Sequence, residues 1–343
     1  MLRDREGNKI LLSESENFHI KAIGRSGCGK TFWACRYIEK LSKSVPVIIF
    51  DYSGSYSEEE REKNQFFLVD GMHFKVLDFV KDDVRVKIPV THAVDTVADS
   101  LIVILNVRAI YQKELIHQAC ERAFSIMGYF SFEGIYKILT ALKDSEEELE
   151  YMKSAEMLMS RLYHLKNLYN FRIVQGSSAR VMGNSILQMS NLPMRIRVDL
   201  SQFVLEVLWR EFQQNCTSRV QIVLDEFQIL RLKGTAVEEM LREGRKFGIG
   251  LTLLTQYVSP DIVDSLEQAA TSLYFLPNDR NLQQIAHLID PQNYRCWMPI
   301  LKNLRRGQCI LDGNFEVNGN TPGVKRPLVC SVDKPPAGDT CLS

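Results

Sequence analysis

The residues with the clearest chemical meaning are two glycines, a lysine and a threonine at fixed spacing. Gly24, Gly29, Lys30 and Thr31 lie between an apolar run and the start of a predicted helix. The glycines let backbone N–H groups turn inward toward phosphate oxygens, and the following helix N-terminus adds its positive end. In this arrangement Lys30 reaches the β- and γ-phosphates, and the Thr31 hydroxyl binds Mg²⁺. The spacing predicts an ATP site; the alternative is a glycine turn beside a surface lysine.

The whole phosphate loop is expected to contact the nucleotide. Its predicted contact residues are Gly24, Arg25, Ser26, Gly27, Cys28, Gly29, Lys30, Thr31 and Phe32. Cys28 has two interpretations. It either fills space inside the loop or acts as a redox switch, because a helix N-terminus lowers the pKa of a thiol.

Two adjacent acids follow a second apolar run. Asp225 and Glu226 come directly after Val220–Leu224, which has the pattern of a buried parallel strand. Asp225 is predicted to hold Mg²⁺ close to Thr31. Glu226 is predicted to orient the attacking water or accept its proton. A protein that only held ATP would not need the second acid, so the pair favours hydrolysis.

Two more polar residues end apolar strands. Gln256 follows the run 249–254, and Asp51 follows the run 45–50. The carboxyl ends of parallel strands form the edge at which open α/β sheets bind ligands. Gln256 is therefore predicted to hold the water or sense the γ-phosphate, unless it merely caps its strand. Asp51 lies near the nucleotide or at a subunit contact, or simply begins a turn.

Two arginines near the end of a predicted helix complete the candidate catalytic residues. Arg242 and Arg245 are three residues apart and share one helix face. One role is to offset the negative end of the helix dipole. The other is an arginine finger that enters the ATP site of an adjacent subunit and stabilises the transition state. We favour Arg245 for that role, with Arg242 as the second candidate.

The hydrophobic pattern supplies the elements that must position these residues. Strands are predicted at 18–23, 45–50, 194–200, 220–224, 249–254, 271–276 and 308–311. Helices are predicted at 32–41, 94–105, 111–124, 132–142, 145–168, about 201–212 and 235–246. The pattern indicates an α/β protein: a polar lead-in at 1–17, an ATPase core at 18–92 and 190–312, a helical insertion at 93–189 and an extended tail at 313–343.

Composition limits the function further. The 343 residues carry no formal net charge, which argues against a simple basic DNA-coating protein. Any DNA contact must come from local cations, such as Arg180 in the glycine- and serine-rich loop 175–183, which is otherwise a solvated connector. The eight cysteines are scattered without a CxxC pair, so we expect reduced thiols and a cytoplasmic location. No apolar run is long enough to predict a membrane span.

These motifs resemble those of the HerA and FtsK superfamily of hexameric DNA-pumping ATPases. The likeness is carried by GRSGCGKT, IIFDYSGSY, IVLDEFQ and LREGRKFGIGLTLLTQ, and it extends over about residues 18–312. It is nearest to the HerA branch and to conjugation-type secretion ATPases. The run GRKFGIGLTLLTQ discriminates best, because the two nucleotide motifs occur in many P-loop families.

The resemblance implies a RecA-like P-loop fold of the ASCE class, assembled as a homohexameric ring that moves DNA through a central pore. The residues that match the ATP-site positions are Lys30, Thr31, Asp225, Glu226 and Gln256, and Arg245 matches the trans-acting arginine. Neither a β-barrel before Phe18 nor a winged helix is apparent.

The leading hypothesis is an ATP-driven DNA translocase or helicase-like motor. The alternatives are a ring scaffold that activates a nuclease or other effector in phage defence, a conjugation-type coupling ATPase working with a relaxase and, least favoured, a small-molecule kinase.

Overall fold

A computed structural model describes most of the chain. The described residues are 2–12, 17–63, 74–145, 148–176, 183–215, 219–258, 263, 266–322 and 326–333. Arg180 and the end of the predicted tail, 334–343, lie outside them.

The strands of the described residues belong to two sheets. In chain order they are β1 (Leu2–Arg3), β2 (Lys9–Leu12), β3 (Ile20–Ile23), β4 (Val47–Asp51), β5 (Lys75–Asp78), β6 (Val84–Ile88), β7 (Tyr129–Phe130), β8 (Phe171–Gln175), β9 (Ser185–Gln188), β10 (Val220–Asp225), β11 (Ile249–Thr255), β12 (Thr271–Phe275), β13 (Gln308–Asp312), β14 (Phe315–Val317) and β15 (Leu328–Val332). The α-helices are α1 (Lys30–Leu41), α2 (Glu58–Lys63), α3 (Ala93–Ile104), α4 (Ile110–Met127), α5 (Phe132–Ser145), α6 (Leu149–Leu162), α7 (Met194–Asn215), α8 (Ala236–Glu243), α9 (Leu282–Ile289) and α10 (Tyr294–Lys302).

The centre of the fold is a run of seven parallel strands in the order β12-β3-β11-β10-β4-β9-β5. These strands are almost continuously apolar because both faces of the sheet are covered. Alternate residues enter two cores: Ile49 and Val223 pack on the α1 side, whereas Ile48 and Leu224 pack on the side of α7 and α8. The α/β class with a parallel-sheet core is confirmed.

The sheet continues beyond β12 as five antiparallel strands from both ends of the described chain. Their order is β13-β15-β1-β2-β14. The lead-in therefore forms a hairpin, β1 with β2, and part of the tail lies as β14 and β15 on its own subunit. The strand predicted at 308–311 corresponds to β13. The other four strands are short and partly polar, so sequence periodicity alone gave little sign of them.

The segment predicted as a helical insertion contains strands as well as helices. A second sheet, in the order β6-β8-β7, packs beneath α3–α6. Its strands β7 and β8 lie within 93–189, whereas β6 lies just before that segment. Four aromatic rings join this sheet to α5 and α7, with centroid separations of 5.1–6.1 Å among Phe130, Phe132, Phe171 and Phe203. Strand β9 also falls within 93–189, yet it pairs with β4 and β5 in the main sheet.

Two predictions of secondary structure were wrong. The run 194–200 alternates like a strand but forms the first turns of α7. Leu200, Phe203 and Leu208 are buried on a helical stripe, and packing against the core overrides a short alternating pattern. The predicted helix 145–168 is shorter, since α6 covers only Leu149–Leu162.

Arg197 fixes the start of α7 to the sheet. Its guanidinium donates hydrogen bonds to the carbonyl oxygens of Tyr52 at 2.6 Å, Ser190 at 2.8 Å and Leu192 at 2.9 Å. These carbonyls follow β4 and β9, so the contact holds the edge where Asp51 lies.

We expect Arg197→Met to lower the free energy of unfolding by about 2–4 kcal/mol, because three backbone acceptors lose a charged donor. Urea denaturation measures this change. Arg195→Met, at an exposed site two residues earlier, is the matched control and is expected to change stability by less than about 0.5 kcal/mol. Equal stability of the two variants would contradict the assignment.

Candidate functional site

The phosphate loop connects β3 to α1 and is held from three sides by backbone hydrogen bonds. The N–H of Gly24 donates to Thr255 at 3.1 Å, that of Arg25 to Leu276 at 2.9 Å, and that of Gly307 to the Cys28 carbonyl at 2.9 Å. These bonds tie the loop to the ends of β11 and β12 and to the turn before β13. The loop is therefore built into the sheet edge before any ligand binds.

Glycine is required in this loop for two reasons. Gly27 and Gly29 have φ values of 73° and 111°, in the left-handed region that L side chains rarely adopt. Gly24 has no room for a side chain, because an added Cβ would lie 2.6 Å from Cβ of Phe275 and 2.9 Å from Sγ of Cys28. Arg25, Ser26 and Gly27 are exposed, so the crest of the loop is open to a ligand.

Lys30 and Cys28 are both buried, with different consequences. The Lys30 ammonium donates to the carbonyl oxygens of Gly24 at 2.7 Å and Arg25 at 3.1 Å, so its charge lies within the loop. Burial raises the pKa of the Cys28 thiol and outweighs the nearby cations. The neutral thiol is favoured, which supports the packing interpretation of Cys28 over the redox switch. Phe32, on the first turn of α1, is half-buried beneath the Arg36 guanidinium.

The predicted magnesium ligands face each other. The Thr31 hydroxyl donates to Oδ2 of Asp225 at 3.3 Å. Asp225 ends β10 and is 1% exposed. Burial, with the negative charges of Glu226 and Asp51, raises the pKa of Asp225 to about 7. A carboxylate and a hydroxyl are hard oxygen donors of the kind that Mg²⁺ prefers, and a cation would relieve the clustered negative charge.

Glu226 is held by two amides. Its Oε1 accepts a hydrogen bond from Nε2 of Gln256 at 2.6 Å, and its Oε2 accepts one from Nε2 of Gln228. Glu226 also has a φ of 63°, which is uncommon for a residue with a side chain. Strained backbone of this kind is concentrated at functional sites. Sequence reasoning missed Gln228, although its place two residues after Glu226 was a usable signal.

Sheet order explains why these groups meet. β11 lies between β3 and β10, so the strand ends carry the loop, Gln256 and the two acids side by side. Asp51, at the end of β4, lies beside them. Its carboxylate accepts hydrogen bonds from the N–H groups of Gly54, Ser55 and Tyr56 at 2.8–3.2 Å. Asp51 therefore shapes a turn, as one of the two sequence interpretations predicted.

The two arginines lie at the opposite edge of the sheet. Arg242 is in the last turn of α8, and Arg245 is in the 3-10 helix Gly244–Phe247 that precedes β11. Both side chains are exposed. Because β11 is seven residues long, Arg245 and Gln256 are separated by roughly 20 Å along the strand. The fold does not bring Arg245 to the phosphate loop of its own chain.

His19 contacts the segment that carries Arg245, which sequence reasoning missed. Its buried Nδ1 accepts a hydrogen bond from the Leu251 N–H at 3.0 Å. A Cβ added to Gly244 would lie 3.4 Å from Cε1 of His19, so the ring lies against the 3-10 helix. Burial, with a smaller effect from the Arg245 charge, lowers the pKa of His19 to about 4. His19 precedes β3, so it joins the loop-bearing strand to the arginine segment.

Comparison with protein-family models matches residues 12–212 to "Helicase HerA, central domain". The chain belongs to this family. It is a HerA-type P-loop ATPase. Among curated proteins, none matches the sequence significantly. In the part of the chain that the structure describes, no helix has the length and apolar character needed to cross a bilayer.

Solved structures of VirB4 and of the conjugative coupling protein TrwB share the fold. VirB4 of Thermoanaerobacter pseudethanolicus has a TM-score of 0.67 at 15% identity, covering 97% of this chain and 95% of that one. The bacterial conjugative coupling protein TrwB has a TM-score of 0.65 at 12% identity, covering 94% and 86%. TrwB in complex with ADP and Mg²⁺ has a TM-score of 0.60 at 13% identity, with the same coverage. The predicted RecA-like P-loop fold is confirmed.

The buried His19 gives a pH-dependent contribution to stability. As pH falls, the unfolded chain takes up the proton first, because its histidine keeps the ordinary pKa of 6.5. The stabilisation is therefore complete above pH 6.5 and is lost as pH falls toward about 4. We expect His19→Gln to reduce the fall in unfolding free energy between pH 7 and 5 by about 2 kcal/mol. Denaturant titrations at each pH measure it.

His117→Gln, at a partly exposed site on α4, controls for the general loss of one imidazole. A His19→Gln protein whose stability falls with pH as steeply as the wild type would contradict the burial of a neutral ring.

Proposed function

We propose that this protein hydrolyses ATP to move DNA and works as a homohexameric ring. The observation that carries the proposal is the constraint on Glu226: two amides hold its carboxylate beside the Thr31–Asp225 pair. A site for nucleotide binding alone would not need a carboxylate held in this way.

The described residues fit ATP and Mg²⁺. The exposed crest of the loop offers backbone N–H groups to phosphates, and Lys30 supplies a buried positive charge. Thr31 and Asp225 would hold the magnesium ion, which neutralises charge on the β- and γ-phosphates when bound. The solved TrwB structures with ADP and Mg²⁺ and with a non-hydrolysable ATP analogue support the proposal of ATP and Mg²⁺ for this chain.

The chain's own groups would divide the work of hydrolysis. Lys30 exchanges its loop carbonyls for phosphate oxygens and stabilises their charge. Glu226 orients the attacking water and accepts its proton. Gln256 and Gln228 keep the Glu226 carboxylate in place. Gln256 extends from the neighbouring strand and would also sense the γ-phosphate.

Arg245 would act on the next subunit. It is exposed at the far edge of the sheet, so its guanidinium can serve an adjacent phosphate loop but not its own. An arginine supplied in trans stabilises the transition state and makes hydrolysis depend on the neighbour. This dependence would allow the subunits of a ring to hydrolyse ATP one after another. Arg242 is the second candidate for the same role.

DNA would pass through the central pore, and the loop around Arg180 remains the predicted pore contact. A ring scaffold that activates a nuclease or other effector is the competing function. The two functions differ in two measurable properties. Only the motor requires that DNA stimulate the ATPase, and only the motor requires that ATP hydrolysis displace a bound strand.

We expect Lys30→Ala and Glu226→Gln each to lower the ATPase rate at least about 100-fold, because they remove phosphate stabilisation and the general base. Phosphate release with and without DNA measures the rate. Lys40→Ala, on the same helix as Lys30, and Glu243→Gln, at the last residue of α8, are exposed controls that should retain activity. DNA-independent turnover that survives Glu226→Gln would refute the assigned site.

We expect Arg245→Ala to lose about 1,000-fold or more in ATPase rate while still binding ATP, whereas Lys246→Ala stays active. Mixing Arg245→Ala with Lys30→Ala should restore part of the activity, since some mixed interfaces pair an intact loop with an intact arginine. Native mass spectrometry with and without ATP and DNA tests the ring. A monomer under every condition, or no rescue on mixing, would rule out catalysis in trans.

A further inference from the structure

The small sheet has one buried face and one outer face of distinct chemistry. Its inner residues, among them Val84, Val86 and Phe171, are at most 2% exposed. On the other face, Arg85 and Lys87 of β6 are exposed, and Arg172 of β8 is directly opposite Arg85 in the parallel register. Two arginines and a lysine thus share a surface about two strands wide.

Acidic residues only partly neutralise this surface. Asp83 accepts two hydrogen bonds from Arg85, at 2.8 and 2.5 Å, and lies 3.6 Å from Arg172. The single Asp83 carboxylate therefore offsets the charge of two guanidinium groups. Lys87 is a further cation on the same face, so positive charge is in excess there.

Aromatic rings continue the surface beyond the arginines. The Arg172 guanidinium lies 5.1 Å from the centroid of the Tyr129 ring, which flanks it on β7. Lys137 of α5 lies near Tyr129 and Tyr169, and it pairs with Glu133 at 2.6 Å. The Tyr169 side chain is 56% exposed.

We propose that this outer face, defined by Arg85, Lys87, Tyr129, Lys137, Tyr169 and Arg172, binds the phosphate backbone of DNA. The inference rests on the proposed function, because it names where the moving strand touches the insertion. Arginine forks and lysines bind phosphates through charge. An exposed tyrosine adds a platform on which an unpaired base stacks.

The connections of the small sheet suit this role. β6 follows the edge strand β5 after a short turn, and β8 leads back toward β9, the strand beside β5. Asp78, the last residue of β5, fixes the turn by accepting hydrogen bonds from the Val80 N–H at 2.9 Å and the Asn191 side chain at 3.1 Å. The small sheet is thus connected to β5 and β9, the last two strands at one end of the main sheet.

The test is the salt dependence of DNA binding, followed by fluorescence anisotropy of labelled single- and double-stranded oligonucleotides. Each lost phosphate contact reduces the log–log salt slope by about 0.7 for single strands and about 0.9 for duplexes. We expect Arg85→Gln/Lys87→Gln/Arg172→Gln to reduce the slope by about two to three and to weaken binding at least tenfold at low salt. ATPase activity without DNA should not change.

The matched control removes the same charge from exposed sites on α4 and α6, as Lys113→Gln/Arg122→Gln/Lys153→Gln. It should keep the wild-type slope. Arg85→Lys/Arg172→Lys retains the charge and should keep most of the affinity, which separates a lost contact from a misfolded sheet. Tyr169→Ala should weaken the binding of single-stranded DNA by about tenfold and the binding of duplex DNA much less.

The outcomes distinguish this inference from the proposed function. If the wild type binds DNA and the triple glutamine variant keeps the wild-type salt slope, the outer face is not the DNA-binding site. The proposed motor function is then unaffected. If polyglutamate displaces DNA as well as unlabelled DNA does, the face is a site for acidic proteins and the inference fails. If the wild type neither hydrolyses ATP nor binds nucleic acid, the proposed function itself fails.

Discussion

The candidate site depends on keeping buried negative charge next to a buried positive one. Asp225 is almost fully enclosed at the end of β10, with Asp51 and Glu226 near it, and burial and these charges raise its pKa to about 7. Lys30 is the opposing charge, held within the phosphate loop by two carbonyl oxygens. Charge buried in this way is costly unless paired or bonded to a cation. Binding of Mg²⁺ and a phosphate group, as in the proposed function, would offset this cost.

The strands of the parallel sheet hold the candidate nucleotide site and the arginine segment at opposite edges, one strand length apart. The carboxyl edge collects the phosphate loop, the two acids and Gln256, whereas the amino edge carries Arg245 and the buried His19. β3 and β11 run between the two edges and pair with each other. These paired strands thus connect the edge that would hold ATP in the proposed function with the edge whose arginine would act on the next subunit.

The additions to the core differ in how they attach. The antiparallel strands from both ends of the described chain extend the sheet beside β12 and hold the turn whose Gly307 contacts the phosphate loop. The insertion has its own sheet and an aromatic cluster centred on Phe132 and Phe203, and it joins the opposite edge through β5 and β9. One addition supports the phosphate loop, and the other carries the charged outer face that we propose binds DNA.

The sequence by itself determined the phosphate loop, the strand carrying Asp225 and Glu226, and the position of Gln256, because glycine spacing and long apolar runs reflect local backbone and burial requirements. It did not determine the helix at 194–200, where a short alternating run fits two periods, nor the short strands β7, β8 and β14. Only the tertiary structure decided that Gln228 and Gln256 share Glu226, and that His19 contacts the arginine segment. Residues far apart in the chain meet through strand order, which pairing and packing decide and no local pattern records.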